Sequence, residues 1–300
     1  MSGFFSSNDI LFKTLLIYVV MGLSVQVVLR AGVFSLASAG FWGISAYTTA
    51  LLVDDLGWAL AGLVGLVLSL VISALLALLL GRLRGLYLGM ATIAFDLLVV
   101  ALANSWDSLT GGPAGLFNIP RPLSLVGSLA IAVVCVLAVA LWHSRAGGRF
   151  ADVLRTDEPL AKTLGVETQK LRVATFVFSA GLGAVSGSMA ALTYGVLGPN
   201  DSGFSLVVLA LTIVVLGGSS SWVGALIGAV VVTLLPQFLG FLSEWGDLVY
   251  GALVVVVVLF APKGLLGLLR KVGDLRHRPP PDGPPTAAPE QAERQPAVRS

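Results

Sequence analysis

Long apolar runs fill most of this chain, separated by short punctuations of Gly, Pro, Asp and Arg. A helix needs roughly 20 predominantly apolar residues to cross the hydrocarbon core of a bilayer. Nine runs meet or approach that length: 11–29, 35–53, 57–80, 86–104, 123–142, 173–195, 205–217, 223–243 and 247–262. The pattern predicts an all-α integral membrane protein, a polytopic bundle of about nine transmembrane helices within a range of eight to ten. The second run, SLASAGFWGISAYTTALLV, is rich in Ser, Ala, Gly and Thr and suits tight helix packing or a broken segment better than contact with lipid. The run at 205–217 is short, which points to a half-helix or re-entrant element. Pro236 is expected to kink its helix and Pro262 to end the last one. SAGFWGISAYTTALL at 38–52 and SAGLGAVSGSMAALT at 179–193 share a small-residue pattern, read either as a faint repeat or as coincidence between two Gly/Ala-rich helices.

Composition agrees with this pattern and charge orients it. The chain is 56% hydrophobic and 11% charged, with a mean hydropathy of +0.94, against roughly 25% charged residues in a soluble domain. Of the 18 Lys/Arg and 16 Asp/Glu, ten fall within 143–172 and eleven from Lys263 onward. Placing 143–172 in the cytoplasm and alternating outward leaves only Lys13 and Arg121 of the basic residues outside. The expected topology is N-terminus out and C-terminus in. MSGFFSSNDI lacks a basic leader, so the first span is expected to act as its own insertion signal. The expected organisation is a membrane domain over 1–271 and a Pro-rich, disordered cytoplasmic tail over 272–300.

Several chemistries are missing. No Gly-x-x-x-x-Gly-Lys-Ser/Thr loop is present, and the chain carries two His and one Cys. No nucleophile has an evident base partner. The net charge of +2 gives no reason to expect a nucleic acid. A non-enzymatic membrane protein without cofactor or metal is expected.

Two features carry functional expectations. The loop at 143–172 reads as two short helices. In the second, Thr156 caps a first turn of Asp157, Glu158 and Pro159, Leu160, Ala161 and Leu164 share a face, and Gly165 is a natural stop. So short a helix needs something to pack on: either its own bundle or a groove in a cytoplasmic ATPase. Asp96, in LYLGMATIAFDLLVVALAN, is the acid placed well inside a span, with Thr92 one turn earlier. Such residues are costly and face a cavity or a partner; a substrate ammonium and a neighbouring helix are both open as that partner.

The second half of this loop and the apolar run after it, TDEPLAKTLGVETQKLRVATFVFSAGLGAVSGSMAAL, resemble the coupling region of branched-chain amino-acid ABC-importer permeases of the LivM type. Glu158, Ala161, Gly165 and Val166 match that family's Glu-x-x-Ala-x-x-x-Gly-[Ile/Val] pattern. GVFSLASAGFWGISAYTTALL at 32–52, LTGGPAGLFNIPRP at 109–122, VVLGGSSSWVGALIGA and LFAPKGLLG resemble further family blocks in order. The resemblance implies a bacterial cytoplasmic (inner) membrane permease subunit that moves branched-chain or similar small amino acids inward by alternating access. It implies as partners a homologous LivH-type second permease, two ABC ATPase subunits and a periplasmic or lipid-anchored solute-binding protein. Related permeases carry urea, short amides or other small solutes, and an ATP-independent secondary transporter is the more distant rival. On this reading Arg155, Glu158, Pro159, Leu160, Ala161, Leu164 and Gly165 couple to the ATPase. Ser38, Ser45, Thr48, Thr92 and Asp96 are candidates to line the path, with close helix packing as the alternative for the hydroxyls. Gly111, Gly112 and Arg121 are candidates to receive the binding protein. The family's polar residue near Asp96 falls at the position of Leu97, one residue later, so a role for Asp96 does not transfer directly.

Overall fold

The computed structural model describes residues 8–144 and 167–239, together with Gly251, Val255, Gly264, Leu265 and Gly267. Helix α1 runs Asp9–Arg30, opened by an ion pair between Asp9 and Lys13 at 2.6 Å. The chain then turns at Gly32 (φ 69°) and passes non-helically through residues 33–37. Helix α2 spans Ser38–Leu80. Unbroken, its 43 residues would extend roughly 65 Å at about 1.5 Å per residue, over twice the roughly 30 Å hydrocarbon thickness. It does not run straight, because Gly57 sits at φ 77°, ψ 162°, a region essentially restricted to glycine. The two arms fold back on each other: Ser69 Oγ donates to the Phe41 carbonyl at 3.5 Å, and Gly65 sits directly on Ser45 and Thr49. The second and third predicted spans are the two arms of this hairpin.

Helix α3 (Leu86–Ser105) leads into a one-turn helix α4 (Asp107–Thr110) and a 3-10 turn at Gly112–Ala114. Helix α5 is Leu125–Ser144 and α6 is Thr168–Tyr194, stopped by Gly195 in the left-handed conformation. A 3-10 turn at Pro199–Ser202 precedes α7 (Phe204–Gly217), and α8 (Trp222–Leu239) contains Pro236. α7 itself has 14 residues, but with the 3-10 turn before it the stretch Pro199–Gly217 is 19 residues, so the half-helix or re-entrant element expected at 205–217 has the length and composition of a full span. The span predicted at 247–262 and the tail lie outside the described residues, apart from Gly251 and Val255. Six helices, α2 among them as one, are long and apolar enough to cross a membrane among the described residues. Those residues form no strand beyond an isolated bridge between Leu116 and Leu197, and the architecture is a helical membrane bundle.

α6 is the centre of the bundle. It packs most extensively on α2 and next on α1, and 67% of its apolar window is buried against 22% for α5. The second arm of α2, α3 and α5 instead expose Leu75, Leu78, Leu79, Leu98, Val134 and Leu137. An exposed apolar band of this extent fits a lipid-facing surface rather than a watery one. α7 and α8 form a close hairpin. A side chain at Gly217 would strike the Gly224 carbonyl, and one at Gly228 the Ile213 carbonyl. Gln26 of α1 reaches the turn of that hairpin, donating from Nε2 to the Ser219 carbonyl at 3.1 Å.

Candidate functional site

The first arm of α2 begins inside the protein, and its N-cap, Ala37, has no side chain able to accept a hydrogen bond. The first backbone N–H groups of a helix have no intrahelical partner, and in a bilayer no water replaces one. α3 supplies an acceptor for one of them, Gly40, and another for Leu36 just before the helix. Thr92 Oγ1 accepts from the Leu36 N–H at 3.0 Å, and Asp96 Oδ1 accepts from the Gly40 N–H at 2.8 Å. Thr92 and Asp96 lie one turn apart, so both reach the same neighbour. A Cβ at Gly40 would approach Asp96 Oδ1 and the Phe95 ring to 2.6 Å, so glycine there permits the contact. Phe41 closes the site, with its ring centroid 5.0 Å from Phe95 and 6.0 Å from Phe176. Asp96 is 2% exposed, and its Oδ2 has no hydrogen-bond partner among the described residues.

A ladder of hydroxyls joins α6 to α1 and α2. Ser24, Ser38 and Ser179 meet in one cluster: Ser24 and Ser38 lie 2.9 Å apart, Ser24 Oγ donates to the Ser179 carbonyl at 2.8 Å, and Ser179 Oγ donates to the Ser24 carbonyl at 2.8 Å. Further along, Ser186 Oγ donates to the Ile17 carbonyl at 3.0 Å, and Ser188 Oγ contacts Ser45 Oγ at 2.7 Å and Thr49 Oγ1 at 2.9 Å. Between these rungs the backbones touch, because Gly183 lies on the Ser38 carbonyl and Gly187 on the Trp42 carbonyl. The two similar segments, 38–52 and 179–193, are thus the pair that pack in parallel along this ladder. Of the residues expected to line a path, Ser38, Ser45, Thr92 and Asp96 are buried in hydrogen bonds between chain segments. Thr48 is half-buried and bonds to its own helix, at the Ile44 carbonyl.

The segment 105–122 is pinned rather than loose. Thr110 Oγ1 donates to the Ala103 carbonyl at 2.6 Å, and Gly111, Gly112 and Gly115 all take positive φ. Leu116 pairs with Leu197 through two backbone hydrogen bonds of 2.9 Å, and the Ile119 N–H donates to the Gly195 carbonyl at 3.0 Å. The exposed Arg121 lies directly against Gly195. Arg121 and the half-buried Gly111 therefore belong to a two-loop surface with 195–203, while Gly112 is buried beneath it against Asp107.

Arg155, Glu158, Pro159, Leu160, Ala161, Leu164 and Gly165 lie outside the described residues. Shortly after them in sequence comes the start of α6, which is stapled to the turn between α2 and α3. Gln169 Nε2 donates to the Gly81 carbonyl at 3.2 Å, and Arg172 Nη2 to the Leu83 carbonyl at 3.3 Å. Sequence reasoning missed Gln169, Arg172, Ser24, Ser179 and Ser188. The one signal for any of them was that serines on α6 alternate with glycines. It also missed a cavity of about 440 Å³ between α1, α2, α6 and α7, beside the two-loop surface, whose walls include Tyr18, Trp42, Tyr194, Asn200, Asp201 and Ser205.

Comparison with known proteins agrees with this architecture. Residues 9–258 match the family described as "Branched-chain amino acid transport system / permease component". The chain is 29% identical to the high-affinity branched-chain amino acid transport system permease protein LivM of Salmonella typhimurium, over 88% of this chain and 71% of that protein. It is 35% identical to the LivH permease of Escherichia coli over 44% of this chain and 42% of that protein. The autoinducer 2 import system permease protein LsrC of Salmonella paratyphi B is 27% identical over 58% of this chain and 53% of its own length. No solved structure matches. The chain, a multi-pass helical membrane protein, belongs to the family of branched-chain amino acid transport permeases.

Proposed function

We propose that this chain is the transmembrane permease subunit of an ATP-driven importer that carries branched-chain or similar small amino acids into the cytoplasm by alternating access. The observation that carries the reading is the family match over residues 9–258, joined by the LivM similarity over most of the chain. The chain itself contributes no nucleotide-binding loop, so hydrolysis is assigned to two separate ATPase subunits. A LivH-type second permease completes the membrane part, and a solute-binding protein delivers cargo to the two-loop surface that contains Gly111 and Arg121, with Gly112 shaping the turn beneath it. The C-terminus is assigned to the cytoplasm, with the loop at 143–172. That loop receives the ATPase stroke through Arg155, Glu158, Pro159, Leu160, Ala161, Leu164 and Gly165. α6 comes directly after it in sequence and carries the stroke into the bundle.

The hydrogen bonds of Asp96, Thr92, Ser38 and Ser45 support a role in shaping the path by holding helices together. The LsrC similarity favours a second reading, in which the same machine carries a small solute other than an amino acid. Reconstitution decides between these. Proteoliposomes holding both permeases, the ATPases and the binding protein are expected to accumulate leucine only with ATP. Uptake driven by a proton or sodium gradient without any ATPase would overturn the importer reading. ATP-driven uptake of another solute in place of any amino acid would establish the second one.

A further inference from the structure

We propose that the cavity between α1, α2, α6 and α7 is a cargo site for a small zwitterion with an apolar side chain, whose ammonium is held by Asp201. The proposal rests on the importer reading and adds a place and a recognition chemistry to it. At about 440 Å³ the cavity falls within the roughly 300–1,000 Å³ of small-molecule sites. Its wall is mixed: Trp42, Leu206 and the rings of Tyr18 and Tyr194 supply apolar surface, and Asn200, Asp201 and Ser205 supply polar groups. That division matches a molecule with one apolar end and one charged end.

Asp201 is held in place by built structure. Its Oδ2 accepts the Gly198 N–H at 2.7 Å, and its neighbours Pro199 and Ser202 are buried. Ser202 is wedged against α2, where a Cβ at Gly43 would come within 2.7 Å of it. Asp201 itself is exposed, and among the described residues no Lys or Arg forms an ion pair with it. A carboxylate at the rim of a low-dielectric cavity focuses its field there and draws cations. Trp42, Tyr18 and Tyr194 line the same cavity, and aromatic rings attract the same charge. Position adds a further argument. Val196 lines the cavity, while its neighbours Gly195 and Leu197 contact Arg121 and Leu116. Cargo released onto the two-loop surface therefore meets this cavity next.

The test uses the assembled importer in proteoliposomes. Val196→Cys, at an exposed position of the cavity wall, serves as a reporter in a Cys135→Ala background, since Cys135 is the chain's one cysteine. L-Leucine at the outer face is expected to slow maleimide labelling of the reporter about threefold, the mass-action effect of ligand at about twice its Kd. 4-Methylpentanoate, which lacks the ammonium, is expected to give no protection. Asp201→Asn should abolish protection by leucine, Asp201→Glu should restore it, and Asp55→Asn, on the exposed turn beside Gly57, should retain it. Labelling of the unliganded Asp201→Asn protein at the parent rate shows that it is folded. Equal protection by 4-methylpentanoate, or protection that survives Asp201→Asn, overturns the proposal. Protection by assembly alone, with no further effect of leucine, also overturns it and gives the cavity to the second permease. ATP-driven leucine uptake, measured in the same vesicles, separates the two failures: uptake without protection rejects the cavity and leaves the importer reading standing.

Discussion

Asp96 is a carboxylate inside an apolar bundle with a structural partner already in place. Its Oδ1 accepts the Gly40 N–H, while Thr92 accepts the N–H of Leu36. Asp96→Asn keeps an acceptor oxygen in the same position, so near-normal thermal stability in detergent is expected. Asp96→Leu leaves the Gly40 N–H buried and unpaired, a cost of about 1–3 kcal/mol, and a lowered melting temperature is expected. Equal melting temperatures for the two variants would remove the helix-capping role. Gly187 tests packing rather than polarity. A methyl group there runs into the Trp42 carbonyl, so Gly187→Ala is expected to destabilise the bundle by about 1–3 kcal/mol through overpacking. Unchanged unfolding of this variant would mean that α2 and α6 do not touch as described. A polar group facing a partner at Asp96 and close packing through small residues were legible in the sequence. Their partners were not, because Ser24 meets Ser179 across 155 positions and no local periodicity encodes such a pairing.

At the scale of elements, the apolar runs located the helices because a bilayer demands their length. The hairpin within α2 was legible as two spans with a polar break, and the structure narrows that break to the backbone of Gly57. The prominence of α6 was not legible, since it is less apolar than its neighbours. Its mean hydropathy of 1.5 compares with 2.7 for α5. Small and hydroxylated residues lower that value and also allow the close packing that makes α6 central. α6 enters the bundle through the Gln169 and Arg172 staples, worth about 1 kcal/mol each as ordinary hydrogen bonds. If motion of the preceding loop reaches α2 and α3 through them, Gln169→Ala combined with Arg172→Ala uncouples the machine: ATP hydrolysis persists while uptake per ATP falls. An unchanged ratio of uptake to hydrolysis would show that the staples transmit nothing.

At the scale of the whole molecule, the proposed orientation sets the loop at 143–172 in the cytoplasm, and an ATPase is its proposed partner there. Glu158→Arg and Leu160→Asp are expected to abolish ATPase co-purification and uptake while membrane insertion stays normal. Intact co-purification would sink the coupling assignment. The cavity beside Asp201 was illegible in sequence because its wall draws on α1, α2, α6, the 3-10 turn and α7, and each contributes residues unremarkable in their own run. The capping of α2 by α3 has a consequence for how the chain is made. The backbone donors of Leu36 and Gly40 leave the ribosome 56 residues before the side chains that accept from them. Until α3 has been inserted, the start of α2 holds two unanswered amides, which favours keeping it near water or the insertion machinery. The native start of α2 is therefore completed only after synthesis has passed Asp96, and a chain truncated before that residue is left without it.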